Sequence, residues 1–114
     1  MKIAVTSIGK DLISDMDTRF GRAKYFILVD PRTLEYDVID NKQNLNLSQG
    51  AGIQASKAIV DQKADVLICD NCGPKTSEVL NAAGIKVVTG VKGRVIDGII
   101  QYKSGQIEAI EASG

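Results

Sequence analysis

The sequence predicts an α/β domain with three layers, α/β/α, built on a mixed five-stranded sheet with one antiparallel strand. Five short runs are rich in apolar and β-branched residues, three longer stretches carry apolar residues at helical spacing, and the last strands alternate with the helices. Strands that alternate with helices form parallel crossover units. The predicted order is therefore β β β α β α β α, within a single domain that spans residues 1–114.

The first three predicted strands are KIAVTS at residues 2–7, YFILVD at 25–30 and EYDVID at 35–40. The second is a continuous apolar run that ends at Asp30 and Pro31, and the third shows the period-two alternation of a strand. The DPRTL segment between them has the length of a hairpin loop, with Pro31 opening the turn. We therefore expect the second and third strands to be antiparallel.

The first helix follows a polar stretch, NKQNLNLSQG at 41–50, that shows no period. It is predicted to run from about Ile53 to Lys63. One of its faces is expected to carry small and apolar residues together with one glutamine: Ala51, Ala55, Ala58, Ile59 and Gln62. DVLIC at 65–69 then has apolar residues on both faces, which is typical of a covered parallel strand.

The second helix is predicted to begin at Pro74, which suits the first turn of a helix, and to stop at Gly84. Its inner face is expected to contain Val79, Leu80 and Ala83. IKVV at 85–88 is the next predicted strand, and RVIDGIIQYK at 94–103 is the third helix. IEAI at 107–110 is a candidate for a short terminal strand.

Composition and charge exclude several classes of function. A chain of 114 residues buries roughly two-thirds of its unfolded surface, so it does not need a disulfide to fold. The 14 basic and 14 acidic residues balance, which gives no electrostatic footprint for nucleic acid. The longest apolar run is short compared with the ~20 residues of a membrane helix, and the start of the chain does not resemble a signal peptide. We expect a cytoplasmic protein that binds neither nucleic acid nor membranes.

The two cysteines of the chain, Cys69 and Cys72, form a CxxC pair where the fourth strand gives way to the second helix. In a reducing compartment such a pair indicates thiols, metal ligands or redox partners rather than a structural disulfide. Cys72 precedes Gly73 and Pro74 near a helix amino terminus, where a thiolate is favoured. Cys69 closes an apolar strand, so it is either a ligand or a small core residue.

Two thiolates supply only half of a tetrahedral zinc or iron–sulfur site, and the chain contains no histidine. Either a second chain supplies the other ligands, or the metal arrives with ligands of its own.

An anion has two further candidate contacts at the carboxyl edge of the sheet. Arg19, Arg22 and Lys24 surround Phe20 and Gly21, although they would equally suit a surface loop paired with nearby aspartates. The GAG segment at 50–52 offers amides at a helix start.

Four blocks of the sequence together resemble the dinitrogenase iron–molybdenum cofactor biosynthesis family across nearly the whole chain: DTRFGRAKYFILVD, GAGIQASKAI, GPKTSEVLNAAGIKVVTG and GRVIDGIIQYKSGQI. The resemblance implies a ribonuclease-H-like α/β/α domain that binds or carries a metal–sulfur cluster containing molybdenum or iron, without catalysing a reaction. Many members have a histidine ahead of the GAG block, where this chain has Gln49, so histidine ligation does not carry over.

From the motifs and the resemblance together, we expect thiolate ligation by Cys72 and Cys69. The predicted cofactor-binding residues are Arg19, Phe20, Gly21, Arg22, Gly50, Gly52 and Gly73. The expected partners are proteins that donate and accept the cluster, and the expected state is a monomer or a weak homodimer. Two other functions remain open, a thiol–disulfide or redox-responsive protein that uses the CxxC pair and an interaction module with inert cysteines. A nuclease is disfavoured because Asp30, Asp40 and Asp70 are scattered among strand ends.

Overall fold

The computed structural model describes residues 1–47 and 49–105, and the candidate strand at 107–110 lies outside them. The elements follow one another in the predicted order, with a single 3₁₀ turn at Lys42–Asn44. The strands are β1 Ile3–Ser7, β2 Tyr25–Val29, β3 Tyr36–Asp40, β4 Val66–Ile68 and β5 Lys86–Val88. The helices are α1 Ala51–Asp61, α2 Pro74–Ala82 and α3 Val95–Lys103. Over the described residues, none of the helices combines the length and the apolar character needed to cross a bilayer.

The sheet has the order β3-β2-β1-β4-β5. β2 pairs antiparallel with both of its neighbours, whereas β1, β4 and β5 are parallel. In the register, Ile3 of β1 lies opposite Val29 on one side and Val66 on the other. The predicted mixed five-stranded sheet with one antiparallel strand is confirmed, and so is the hairpin between β2 and β3.

Alternate residues of the central strands belong to two separate buried clusters, as the period-two geometry of strands requires. In the first cluster, Phe26 and Leu67 pack with Ile59 of α1 and Leu80 of α2. The second cluster joins the other face of the same strands to α3: Ile3, Ile27, Ile68, Val95 and Ile99. The loops at the carboxyl ends of β1, β4 and β5 therefore share one edge of the sheet with the amino ends of the helices, where ligands bind in open α/β sheets.

Helix α1 begins and ends two residues earlier than predicted. Gly50 precedes it with a φ of 78°, a left-handed conformation that glycine adopts without steric cost. At the other end, Lys63 has a φ of 59°, and its amide donates to the carbonyl of Val60. The GAG segment therefore comprises the residue that caps the helix, Gly50, and the first two helical residues, Ala51 and Gly52.

The prediction for the inner face of α2 was wrong at two of its three positions. Leu80 is fully buried, but Val79 is 41% exposed and Ala83 is also exposed. The helix contacts α1 and the edge strand β5, so only a narrow line through Leu80 faces the core. Helical spacing predicts which residues share a face, but it does not predict how wide a face the neighbouring elements cover.

Candidate functional site

A cavity of about 470 Å³ lies at the carboxyl edge of the sheet, among the loop after β1, the start of α1 and the loop after β4. Its lining includes all seven residues that the sequence indicated as cofactor-binding: Arg19, Phe20, Gly21, Arg22, Gly50, Gly52 and Gly73. It also includes Gln49, Asn71 and Thr76, which the sequence analysis did not select. Segments far apart in the chain thus form one pocket.

Close backbone packing explains the glycines at the centre of the pocket. A Cβ atom on Gly21 would lie 2.7 Å from the backbone nitrogen of Gly52. A Cβ on Gly52 would in turn lie 2.8 Å from the Oγ1 atom of Thr76. Real Cβ atoms do not approach other atoms so closely, so the loop after β1 reaches the backbone of α1 only because Gly21 lacks a side chain, whereas a methyl group on Gly52 would require the Thr76 hydroxyl to move.

The amino ends of α1 and α2 both border the pocket. Neither helix has a side-chain cap or an acidic residue in its first turn. The amides of Ala51, Gly52 and Ile53 donate no hydrogen bond to any residue that the structure describes. Helix starts of this kind carry a partial positive charge and free N–H groups, so together they can bind an anion.

The two arginines of the pocket differ in what they contact. The side chain of Arg19 is 60% exposed, and its Nε lies 3.4 Å from Oδ1 of the buried Asp17. The guanidinium of Arg22 donates instead to two backbone carbonyls, at 2.8 Å to Leu45 and 2.7 Å to Leu47. Lys24 is exposed and is not part of the lining. The predicted cationic group is therefore reduced to Arg19 and Arg22 at the pocket.

The cysteine loop lies beside the same cavity, between β4 and α2. Cys69 is fully buried, and its backbone amide donates to the carbonyl of Val88 at 2.9 Å. Cys72 is half-buried and packs against the cluster that contains Cys69. Its neighbours Asn71 and Gly73 line the pocket, and Asn71 forms a backbone bridge with Arg19. The cysteine loop is therefore in direct contact with the part of the loop after β1 that carries Arg19 and Arg22, which we call the arginine loop.

The two thiols have opposite acid–base behaviour. A hydrogen-bonding interaction with the Cys69 thiol, assisted by the side chain of Ser77, lowers the pKa of Cys72 to about 7. The same interaction and burial raise the pKa of Cys69. Near neutral pH a large fraction of Cys72 is therefore the thiolate, which is the reactive and metal-binding form of cysteine, whereas Cys69 stays a thiol.

No cluster of three or more His, Cys, Asp or Glu side chains suited to a metal ion occurs among the described residues. A bare metal ion would therefore find two thiol donors at most from one chain at this edge. A metal centre that carries its own sulfide ligands does not need a complete protein ligand set, since it can be held by charge, by N–H donors and by one or two thiolates.

Two buried asparagines behind the pocket were also missed by the sequence analysis. Asn41 and Asn44 are 1% and 8% exposed, and they belong to the stretch that was interpreted only as polar and aperiodic. The residue type alone does not show whether an asparagine is buried or exposed, and that stretch has no periodic pattern from which burial could be predicted. Asn71 and Thr76 could more readily have been predicted as pocket residues, because both lie within four residues of Cys72.

The sequence profile described as "Dinitrogenase iron-molybdenum cofactor" matches residues 1–105. The chain belongs to this family. The family assignment confirms the resemblance of the four sequence blocks, and it suggests a role in handling clusters related to the iron–molybdenum cofactor. None of the curated proteins matches the chain significantly.

Solved structures of similar proteins agree with membership of the dinitrogenase iron–molybdenum cofactor family. The apo form of the orange protein from Desulfovibrio gigas is 38% identical, with a TM-score of 0.92 over 96% of this chain and 92% of that one. A putative NifB protein from Thermotoga is 33% identical, with a TM-score of 0.80 over 95% of this chain and 91% of that one. The similarity to both proteins thus spans nearly the full length of each chain.

Proposed function

We propose that the protein binds a preformed, anionic metal–sulfur cluster containing molybdenum or iron, and stores or transfers it without catalysing a reaction. The observation that carries the proposal is the meeting of two uncapped helix amino ends in one pocket, beside a thiol whose pKa is about 7. The family assignment supports the same class of ligand. The orange protein and the putative NifB protein support a binding or carrier role by their similarity.

The chemistry of such a cluster suits the residues around the pocket. Sulfide ligands at the surface of an anionic cluster accept hydrogen bonds, and the first-turn amides of α1 together with Arg19 are donors. The Cys72 thiolate is a soft ligand suited to thiophilic metals. The volume, about 470 Å³, falls in the ordinary range of ligand pockets. Under this proposal the buried Cys69 either lowers the pKa of the Cys72 thiol or joins Cys72 as a second ligand.

We also propose that the architecture is the three-layer, ribonuclease-H-like arrangement that the sequence predicts. The support comes from the two clusters, one joining the sheet to α1 and α2 and the other joining it to α3. A carrier of this kind would act in the cytoplasm, where thiols stay reduced. Its partners would be a protein that donates the cluster and one that accepts it, and we propose a monomer or weak homodimer as the active state.

Anaerobic titration of the purified protein with tetrathiomolybdate, and separately with a preformed iron–sulfur cluster, tests the proposal. Binding should change the charge-transfer spectrum of the probe. The Cys72→Ser variant should lose binding with little loss of stability. The Cys69→Ser variant should have a lower melting temperature, because a hydroxyl in an apolar setting costs about 1–3 kcal/mol without a partner. Wild-type affinity in Cys72→Ser would refute thiolate ligation.

A thiol–disulfide or redox-responsive protein is the second candidate, and the lowered pKa of Cys72 favours it. The arrangement argues against it, because in such enzymes the exposed, low-pKa cysteine is usually the first of the pair, whereas here the first is fully buried. Insulin reduction in the presence of a thiol donor separates the two functions. Turnover that depends on both cysteines, with no spectral change on adding a cluster, would establish the redox function instead.

A further inference from the structure

We propose that Arg22, Asn41 and Asn44 are positioning residues, which hold the segment leading into α1 so that the amino end of that helix faces the pocket. The inference rests on the proposed binding of an anionic cluster, and it assigns to Arg22 a role through the protein backbone rather than through its charge alone. Asn41 and Asn44 do not line the cavity, so any effect that they have on binding must pass through the segment that they hold.

The two asparagines form a buried pair of amides with fixed partners. The Nδ2 atom of Asn41 donates to the carbonyl of Gly21 at 3.2 Å and to that of Ala23 at 2.8 Å. Its Oδ1 accepts from the Nδ2 of Asn44 at 2.7 Å. Both donor and acceptor of the Asn41 amide are therefore used, which fixes its orientation, because a buried polar group left without a partner is costly.

The guanidinium of Arg22 connects the same two stretches of chain from the other side. Two of its nitrogens donate to the carbonyls of Leu45 and Leu47. A guanidinium can bridge two carbonyls in this way because it is a rigid, planar fork of donors, whereas the ammonium of lysine is a single point of charge. The arginine loop is thus tied to residues 41–47 by the side chains of Arg22 and Asn41, and Asn44 holds the amide of Asn41 from within that segment.

The tied segment leads directly to the pocket. Residues 49–52 follow it in the chain and line the cavity. Gly21 also takes part on both sides, because its carbonyl accepts from Asn41 while its Cα packs against the backbone of Gly52. A change in the side chains that hold residues 41–47 should therefore displace the amides at the start of α1 from the position in which they can bind the ligand.

Three variants test the inference: Arg22→Lys, Asn44→Ala and their combination, with Arg32→Lys on the exposed loop after β2 as the matched control. The probe is tetrathiomolybdate, titrated anaerobically at several salt concentrations. Each single variant should weaken binding by about tenfold, the loss expected for one or two hydrogen bonds. The slope of affinity against salt should stay unchanged, since neither substitution alters the charge. The double variant should lose little more than either single one, because both act on one segment.

Hydrogen exchange measured by NMR gives a readout that does not need the ligand. The amides of Leu47 and Gln54, which donate to the carbonyls of Asn44 and Gly50, should exchange faster in Arg22→Lys and in Asn44→Ala, at temperatures well below their melting points, and should not change in Arg32→Lys. Wild-type affinity in Arg22→Lys, with a smaller salt slope in Arg22→Ala, would make Arg22 a direct electrostatic contact and overturn the inference. Unchanged exchange at both Leu47 and Gln54 would overturn it as well. If the wild-type protein binds neither tetrathiomolybdate nor an iron–sulfur cluster, the proposed function fails, and the exchange data alone decide whether these residues hold the segment.

Discussion

The first amides of α1 and α3 differ in whether they have hydrogen-bond acceptors within the protein. In α3, the amides of Val95 and Ile96 donate to the carbonyls of Ser14 and Leu12, and the carboxylate of Asp97 accepts from the amide of Arg94 at 3.0 Å. In α1, the first-turn amides have no such partner among the described residues, and the first turn contains no acidic residue. The start of α2 resembles α1 in lacking a side-chain cap and a first-turn acid.

This difference separates a helix start that serves the fold from two that are available to a ligand. All three helices begin at the same edge of the sheet, so position alone does not distinguish them. Donors without protein partners are stable only if water or a ligand accepts from them. The amino ends of α1 and α2 border the cavity, whereas that of α3 is closed by the loop after β1. The comparison therefore predicts that changes at α1 and α2 affect binding, and that changes at α3 affect stability.

The largest effect is expected from a methyl group at the contact between the arginine loop and α1. Gly21→Ala would place a Cβ against the backbone of Gly52, which must then move, at a cost of about 1–3 kcal/mol. Binding of tetrathiomolybdate should be lost. Gly98→Ala is the matched control in α3, because its added Cβ would meet the second cluster, 3.3 Å from Cγ2 of Ile68, and not the pocket. Thermal melts and titrations of both variants provide the measurement, and equal behaviour of the two would contradict the packing argument.

The sequence could predict most of the fold but only part of this contrast. Alternating and helical spacing give the strands and helices, because those periods follow from backbone geometry. The CxxC pair and the glycines are recognisable by residue type. The hydrogen bonds that satisfy the first amides of α3 are not recognisable in this way, since their acceptors are the carbonyls of Leu12 and Ser14, which any residue could supply. The two hydrogen bonds of the Arg22 guanidinium could not be predicted for the same reason, because their acceptors are backbone atoms 23 and 25 positions further along the chain.

The thiol at the start of α2 should titrate well below an ordinary cysteine. Because Cys72 has a pKa lowered to about 7, the fraction of thiolate should rise about tenfold between pH 6 and pH 8 and then level off, whereas an ordinary thiol near 8.5 would still be rising. The rate of alkylation by iodoacetamide, followed by mass spectrometry, should show this profile at Cys72, with Cys69 protected by burial. In the Cys69→Ala variant the midpoint should move upward, since the Cys69 thiol is the main cause of the shift. A wild-type midpoint near 8.5 would remove the basis for a Cys72 thiolate at neutral pH.

Removing the acceptor at the start of α3 should lower stability without affecting binding. Asp97→Ala leaves the amide of Arg94 without its carboxylate partner, and the loss of such a cap costs about 1 kcal/mol. A thermal melt should register the change, while the affinity for tetrathiomolybdate should match that of the wild-type protein. A clear loss of affinity in this variant would show that the start of α3 is coupled to the pocket, contrary to the comparison.

The smallest effect, and the most direct test of the comparison, comes from giving α1 the acidic residue that α3 already has. Ile53 occupies the same first-turn position in α1 as Asp97 does in α3, and its side chain is 39% exposed, so a polar residue can replace it. Ile53→Glu should stabilise the helix through its favourable interaction with the partial positive charge at that end, by about 0.3–1 kcal/mol. The same carboxylate would repel an anionic ligand and compete for its donors, so affinity should fall about threefold.

Ile53→Gln is the control, because it has nearly the same shape without the charge and loses the same apolar contact. Relative to Ile53→Gln, the glutamate variant should melt at a higher temperature and bind tetrathiomolybdate more weakly. Effects of the same sign on stability and on binding would show that the amino end of α1 does not face the ligand.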